Sequence, residues 1–248
     1  MTKLVFIYVN YNCALEIHES ISSIQLENYE VSVIVCDNSG NYSPIENETV
    51  FSPGRNIGYL NGFNYCAMRS DGDIICLVNP DIVFESFELP LDYDLEEGRV
   101  FAPFIFDSLG GNHNPYKTSL PSFGNLLLNF SAIIIEIIGA RSMSKLRNFI
   151  RKEVRVEPIA EENIVPHGSF VVFANCNLTQ LLSPWNSLYF EEEKIAFWAK
   201  KSGYRVQYCP EITVKHLQKS PSTSRINPRR KLLVKLKSLL ELMLYFAR

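Results

Sequence analysis

The sequence predicts a doubly wound α/β sheet, mixed but mainly parallel, with helices on its faces. Residues 4–36 read as strand, helix, strand. Ile74–Val78 is apolar throughout, too short for an ordinary helix, and bounded by Gly72 and by Asn79-Pro80, so it reads as a strand buried on both faces. Strand-like and helix-like stretches then keep alternating to Phe106 and resume after Pro166. With 248 residues, 46% of them hydrophobic, one large domain or a domain with an appendage can bury a sizeable core.

Leu4–Val9 is rich in β-branched and aromatic residues and forms the first strand, closed by the turn formers Asn10-Tyr11-Asn12. Ala14–Gln25 sets Leu15, Ile17, Ile21 and Ile24 near one helical face, and Val31–Cys36 is the second strand, ending on Asp37-Asn38-Ser39-Gly40. That βαβ unit requires parallel strands and puts Asp37 at the mouth of the sheet beside Asn10. Thr49–Phe51 is a short strand, Pro53–Gly58 a glycine-bearing turn, and Tyr59–Arg69 a helix packing through Leu60, Phe63 and Ala67 despite Gly62. The central strand ends on Asn79-Pro80-Asp81. Its carboxylate falls where ligands bind in open α/β sheets, although Asn, Pro and Asp also make an ordinary turn. Ile82–Phe84 and Val100–Phe106 are further strands.

Residues 110–166 are the least legible. Their apolar run 126–138 is interrupted by Asn129, Ser131 and Glu136, so it falls short of a membrane span and reads equally as a mobile or membrane-facing helical insert or as a buried core helix. His167-Gly168-Ser169 leads into a strand at Phe170–Ala174. Within Leu188–Tyr204, Ile195, Trp198 and Ala199 recur at helical spacing, acidic residues crowd the helix start, where the helix dipole favours them, and Gly203 is placed to stop it. Arg205–Cys209 is another strand, and Val214–His216 ends the folded body. A polar linker over 219–230 precedes a basic amphipathic helix over 231–248.

Charge divides the same way. From Lys215 onward there are nine Lys or Arg against one acidic residue, Glu241; the first 214 residues carry fifteen basic against twenty-six acidic. Lys and Arg flanking an apolar helical face suit a peripheral contact with anionic lipid; packing of that helix on the body or on a second subunit is the alternative, and self-association stays open. Six scattered cysteines with no CxxC pair fit reduced thiols rather than a disulfide framework or zinc site. The N-terminal apolar run is too short for a signal sequence, which predicts a cytoplasmic protein, peripheral at most at the inner face of the cell membrane.

Asn10-Tyr11-Asn12, Asp37-Asn38-Ser39, Arg55-Asn56-Ile57-Gly58 with Gly62 and Asn64, Val78-Asn79-Pro80-Asp81, Gly168-Ser169, Tyr189-Phe190-Glu191-Glu192 and His216 follow one another in an order and spacing that resemble the inverting family 2 glycosyltransferases of GT-A fold, in particular their rhamnosyltransferase-like branch. The resemblance covers about residues 3–216 and is weak across 110–165. It implies a GT-A domain over 1–218 with a variable acceptor region at 110–166. The implied donor is a nucleoside-diphosphate sugar, dTDP-rhamnose-like or a UDP-hexose, and the acceptor a glycan or lipid-linked glycan in cell-surface polysaccharide synthesis. No nucleic-acid partner is expected.

The resemblance also assigns roles. Asp37, with Asn10 and Asn12 nearby, would accept a hydrogen bond from a pyrimidine N–H; Arg55 and Asn56 would touch the nucleotide. Asp81, helped by His216, would hold Mg²⁺ or Mn²⁺ against the diphosphate, with Asn79 standing where many relatives have a first Asp. Gly168 would permit close backbone approach. Glu192 would be the general base, with Glu191 its competitor, since either could come within hydrogen-bonding reach of an acceptor oxygen. Glu193 reads equally as a solvated helix-start residue, and Lys194 stands where many relatives carry another Asp. Two alternatives are weighed: a catalytically degenerate sugar-nucleotide binder, and a nucleotidyltransferase on a similar sheet, for which the Asn10–Asn12 turn lacks a phosphate cradle.

Overall fold

The computed structural model describes residues 1–90, 98–138, 164–181, 189–218 and 228–247. Within them one sheet contains β1 (Lys3–Asn10), β2 (Glu30–Asp37), β3 (Thr49–Phe51), β4 (Ile74–Val78), β5 (Ile82–Phe87), β6 (Arg99–Phe106), β7 (Phe170–Ala174) and β8 (Arg205–His216), in the spatial order β3-β2-β1-β4-β7-β6-β8-β5. The β3, β2, β1 and β4 strands are parallel, as are β6 and β8, while β7 runs against β4 and β6, and β5 against β8. The helices are α1 (Ala14–Ser22), α2 (Tyr59–Ala67), α3 (Phe123–Ile138), α4 (Glu191–Lys201) and α5 (Pro228–Ala247). The expected mixed α/β sheet is therefore present.

The central strands are apolar on both faces because helices cover both. Leu4, Phe6 and Tyr8 of β1 pack with Ile17 and Ile21 of α1, whereas Val5, Ile7 and Val9 join Leu60 and Phe63 of α2 and Ile195 and Trp198 of α4. Gly62, a weak helix former, sits in α2 for a packing reason: a Cβ there would lie 3.0 Å from Val9 Cγ1 and 3.2 Å from Cys36 Sγ. All six cysteines are free thiols, as their spacing suggested.

Several boundaries differ from the sequence expectation. The α1 helix stops at Ser22 instead of Gln25, because Ser23 and Ile24 donate to the carbonyls three residues back and tighten the last turn. The two predicted strands Arg205–Cys209 and Val214–His216 are one bent strand. Its pairing with β6 jumps from Cys209 to Thr213 between Pro103 and Phe104, where Pro103 and Pro210 contribute no N–H to the ladder. Helix α5 begins at Pro228, inside the expected linker; residues 219–227 of that linker, and 139–163 of the variable region, lie outside the described residues.

The apolar run 126–138 forms α3, which is half of a helical pair. Leu126 packs with Phe197 of α4 and with Leu239 and Leu242 of α5, while Leu127 and Leu128 remain exposed. The C-terminal helix thus packs on the body. Burying each leucine contributes about 1.5–3 kcal/mol, so α5 is part of the folded unit. Among the described residues no helix is long and apolar enough to cross a membrane.

Candidate active site

Topology alone gathers most of the predicted residues at one rim. Parallel pairing sets Asn10 opposite Asp37 at the ends of β1 and β2. Because β7 runs against β4, its first residue, Phe170, pairs with Val78, which brings Ser169 alongside Asn79 with Gly168 just before it; the Asn79 N–H donates to the Ser169 carbonyl at 2.7 Å. Antiparallel pairing of β5 with β8 sets Ile82 opposite His216, so the end of the last strand returns to Asp81.

At the β1–β2 end the polar groups satisfy one another. Asn10 Nδ2 faces Asp37 Oδ1 at 2.9 Å, and Asn10 Oδ1 accepts the Cys13 N–H at 3.1 Å. Asp37 Oδ1 also accepts the N–H groups of Ser39 and Gly40 and the Ser39 hydroxyl, whereas Oδ2 accepts the Tyr42 N–H at 3.0 Å. Burial opposes the charge, but these donors hold the carboxyl below its ordinary range. Asp37 is thus a turn organiser whose Oδ2, with one donor among the described residues, has room for another. Asn12 adopts a left-handed backbone (φ 58°), which Asn tolerates, and its Oδ1 accepts from Asn41. Asn38 pins the next loop, accepting the Ile57 N–H and donating to the Gly58 carbonyl; Arg55 and Asn56 lie exposed on it.

The second end is built from β4, β7, β8 and α4. His216 Nε2 lies 3.3 Å from Asp81 Oδ1, a separation that two ligands of one ion can have. His216 Nδ1 is buried without a hydrogen-bond partner among the described residues. No group of three potential metal-ligating side chains occurs among the described residues.

Helix α4 starts on a strained corner: Tyr189 (φ 100°) and Phe190 (φ 63°) both have positive φ, a conformation that costs of order 1–3 kcal/mol for each non-glycine residue. The corner is fixed by the Tyr189 N–H donating to Glu191 Oε1 at 2.7 Å, so Glu191 serves as the local cap. Glu192 lies directly over Gly168, where a Cβ would come within 3.1 Å of Glu192 Oε1. A side chain at 168 would press on the Glu192 carboxylate and shift it by a few tenths of an ångström. Burial, aided by the charges of Glu191 and Glu193, pushes the Glu192 carboxyl up to about 8, although the Gly168 N–H works the other way. Burial raises Glu191 as well.

Glu193 and Lys194 turn out to be structural. Glu193 is buried against Lys117 (3.2 Å), and Lys194 pairs with Glu241 of α5 at 2.6 Å, so it faces the C-terminal helix.

The sequence reading missed Tyr59, His113 and His167. The Tyr59 hydroxyl donates to the Gly168 carbonyl at 3.3 Å and feels the charges of Glu191, Asp81 and Glu192. Three of the four histidines cluster: the His167 ring lies 5.5 Å from His113 and 5.7 Å from His216. His113 Nε2 contacts Asp107 Oδ2 at 3.2 Å. Burial, then the neighbouring imidazoles, depress His167 to about 3, so it is neutral at pH 7. No local motif marks these residues; only the pairing of β4, β7 and β8 brings them together.

No family model and no curated protein matches the sequence. Solved structures do. GalNAc-T7, crystallised with UDP, GalNAc and Mn²⁺, superposes over 96% of this chain and 48% of its own with a TM-score of 0.57 at 11% identity. The structure of S. aureus TarS residues 1–349 matches 87% of this chain and 60% of its own, with a TM-score of 0.51 at 14% identity. The chain spans about half the length of the first and three-fifths of the second, and at such identities the likeness is one of fold: a GT-A-like α/β architecture.

Proposed function

We propose that the protein is an inverting glycosyltransferase that moves a sugar from a nucleoside diphosphate to a hydroxyl of a glycan or lipid-linked acceptor in cell-surface polysaccharide synthesis. The observation that carries this reading is the approach to β7: the Asn79 N–H, two residues before Asp81, donates to the Ser169 carbonyl, while the Glu192 carboxylate lies over Gly168 and the Tyr59 hydroxyl donates to the Gly168 carbonyl. The proposed leaving-group side and acceptor side thus adjoin the same two residues.

In this reading Asp37 Oδ2 accepts the pyrimidine N–H, and Asn10, Asn12, Arg55 and Asn56 frame the nucleoside. Asn79 and Gly168 lie along the donor. Asp81 and His216 would hold Mg²⁺ or Mn²⁺, which when bound offsets the negative charge of the diphosphate. Glu192 takes the proton of the acceptor hydroxyl. The acceptor oxygen bonds to the anomeric carbon as that carbon's bond to the diphosphate oxygen breaks, and the electron pair leaves with the diphosphate. A carboxylate with a raised proton affinity is a stronger base, and Glu191, occupied as a cap, is the weaker candidate. The resemblance favours dTDP-rhamnose or a UDP-hexose. Thermal shifts with a panel of nucleotide sugars, with and without Mn²⁺, followed by transfer assays of wild type, Glu192→Gln and Asp81→Ala, test the reading. Variants as active as wild type would sink the mechanism; wild type that binds donor and never transfers would favour the degenerate binder.

The same reading includes a peripheral contact with the inner face of the cell membrane through α5. Leu233, Lys237, Leu240 and Leu244 form one exposed stripe at i, i+4, i+7 and i+11, while Glu241 is turned inward onto Lys194. Removing the tail would also remove Leu239 and Leu242 from a core, so the clean variant is Leu233→Gln/Leu240→Gln/Leu244→Gln. Flotation with anionic vesicles should fall sharply in this variant. Unchanged flotation, or a stripe that instead holds a second copy in a lipid-free sizing experiment, would refute the membrane contact.

A further inference from the structure

We infer that His167 is a donor-sugar reader whose Nε2–H donates a hydrogen bond to a hydroxyl oxygen of the transferred sugar, with His113 as the positioning residue behind it. The inference rests on the glycosyltransferase reading above. In an inverting displacement the base and the leaving oxygen lie on opposite faces of the anomeric carbon, so the sugar must bridge the Asp81–His216 side and the Glu192 side. His167 occupies that span. Its ring lies 5.7 Å from that of His216, and the Glu192 carboxylate lies over the next residue, Gly168.

The hydrogen bonds fix which nitrogen is available. The Ser169 N–H, which can only donate, points at His167 Nδ1 at 3.3 Å, and the Ser169 hydroxyl lies 2.8 Å from the same atom. Nδ1 is therefore an acceptor, which leaves the ring proton on Nε2. No described residue accepts from Nε2. The ring is also held still: His113 and Tyr116 pack against it at 5.5 and 6.0 Å, and the His167 backbone N–H donates to Asn114 Oδ1 at 2.6 Å. His113 is itself fixed by Asp107 and by its own N–H to the Ile105 carbonyl. A donor immobilised before the ligand arrives loses little entropy on binding.

Affinities for matched pairs, UDP against UDP-hexoses and dTDP against dTDP-rhamnose, all with Mn²⁺, separate sugar reading from nucleotide binding. His167→Phe and His167→Asn should each weaken the nucleotide sugar about tenfold while leaving the bare diphosphate within about twofold. His167→Gln, whose amide nitrogen reaches nearly as far as Nε2, should recover part of the loss, and His113→Phe should give a smaller loss of the same kind. Variants that match wild type for both ligands would overturn the inference. So would equal losses for diphosphate and nucleotide sugar, which would make the ring a phosphate or folding group. Wild type that binds neither member of any pair would instead overturn the glycosyltransferase reading, and this inference with it.

Discussion

The two ends of the rim are built on opposite principles. At the β1–β2 end Asp37 receives five hydrogen bonds from its own chain, from Asn10, Ser39, Gly40 and Tyr42, and its proton affinity is lowered. At the β4–β7–α4 end His216 Nδ1 has no partner among the described residues, Glu191 and Glu192 have raised proton affinities, and two successive residues hold a strained backbone. One end is tied together by its own hydrogen bonds, with Asp37 Oδ2 open to one more donor. The other concentrates raised carboxyl groups and strained backbone, features that cluster at functional sites.

The sharpest way to break this contrast is to remove the proposed base. Glu192→Gln should lower kcat by about 10²–10⁴-fold with donor affinity nearly kept, whereas Glu191→Gln should cost far less rate. Steady-state kinetics on both variants decides, and equal losses would mean the two carboxylates act as one unit. Next in size is the stability of the well-paired end. Asp37→Ala leaves a set of buried donors without their acceptor, which should cost about 2–3 kcal/mol and, in a chain of this length, lower the melting temperature by about 4–10 °C. Asp81→Ala, which removes the contact with His216, should lower the melting temperature by less than Asp37→Ala does. Comparable drops in a calorimeter would erase the distinction between the ends.

The well-paired end was also the legible one. Asn10, Asp37 and Asn38 follow directly on β-branched runs, so reading the strands located them, and parallel pairing of β1 with β2 did the rest. Asp81 was legible for the same reason, and Gly168 as part of the turn that leads into β7. His113 and His167 were not, because antiparallel insertion of β7 between β4 and β6 brings distant segments together and leaves no periodic trace in any of them. The α4 start was legible in place but not in detail. Four charged residues in succession look alike in sequence, yet Glu191 caps a turn, Glu192 faces Gly168, and Glu193 and Lys194 face Lys117 and Glu241. Which way each points depends on the strained corner at Tyr189 and Phe190, which no propensity predicts. The α3–α5 pair was ambiguous because an amphipathic helix that packs on a protein and one that lies on lipid carry the same pattern.

The smallest expected effect also sharpens the contrast furthest, because the two ends should respond to pH with opposite signs. Asp37 binds its proton more weakly folded than unfolded, so its contribution is present above the ordinary carboxyl range and is lost as pH falls through the folded value. Glu192 binds its proton more tightly when folded, so between about 4.5 and about 8 the folded state holds more protons than the unfolded one and stability declines as pH rises. Melting curves from pH 3 to pH 9 on wild type, Asp37→Asn and Glu192→Gln should therefore diverge in opposite directions. Asp37→Asn should melt below wild type near neutrality, with the gap closing toward pH 3. Glu192→Gln should melt above wild type at pH 9, on the order of a few degrees, with the gap closing toward pH 5. A Glu192→Gln protein that is less stable than wild type at pH 9 would mean the Glu192 carboxylate is stabilised by its surroundings, and the proposed base would then be the weak one of the pair.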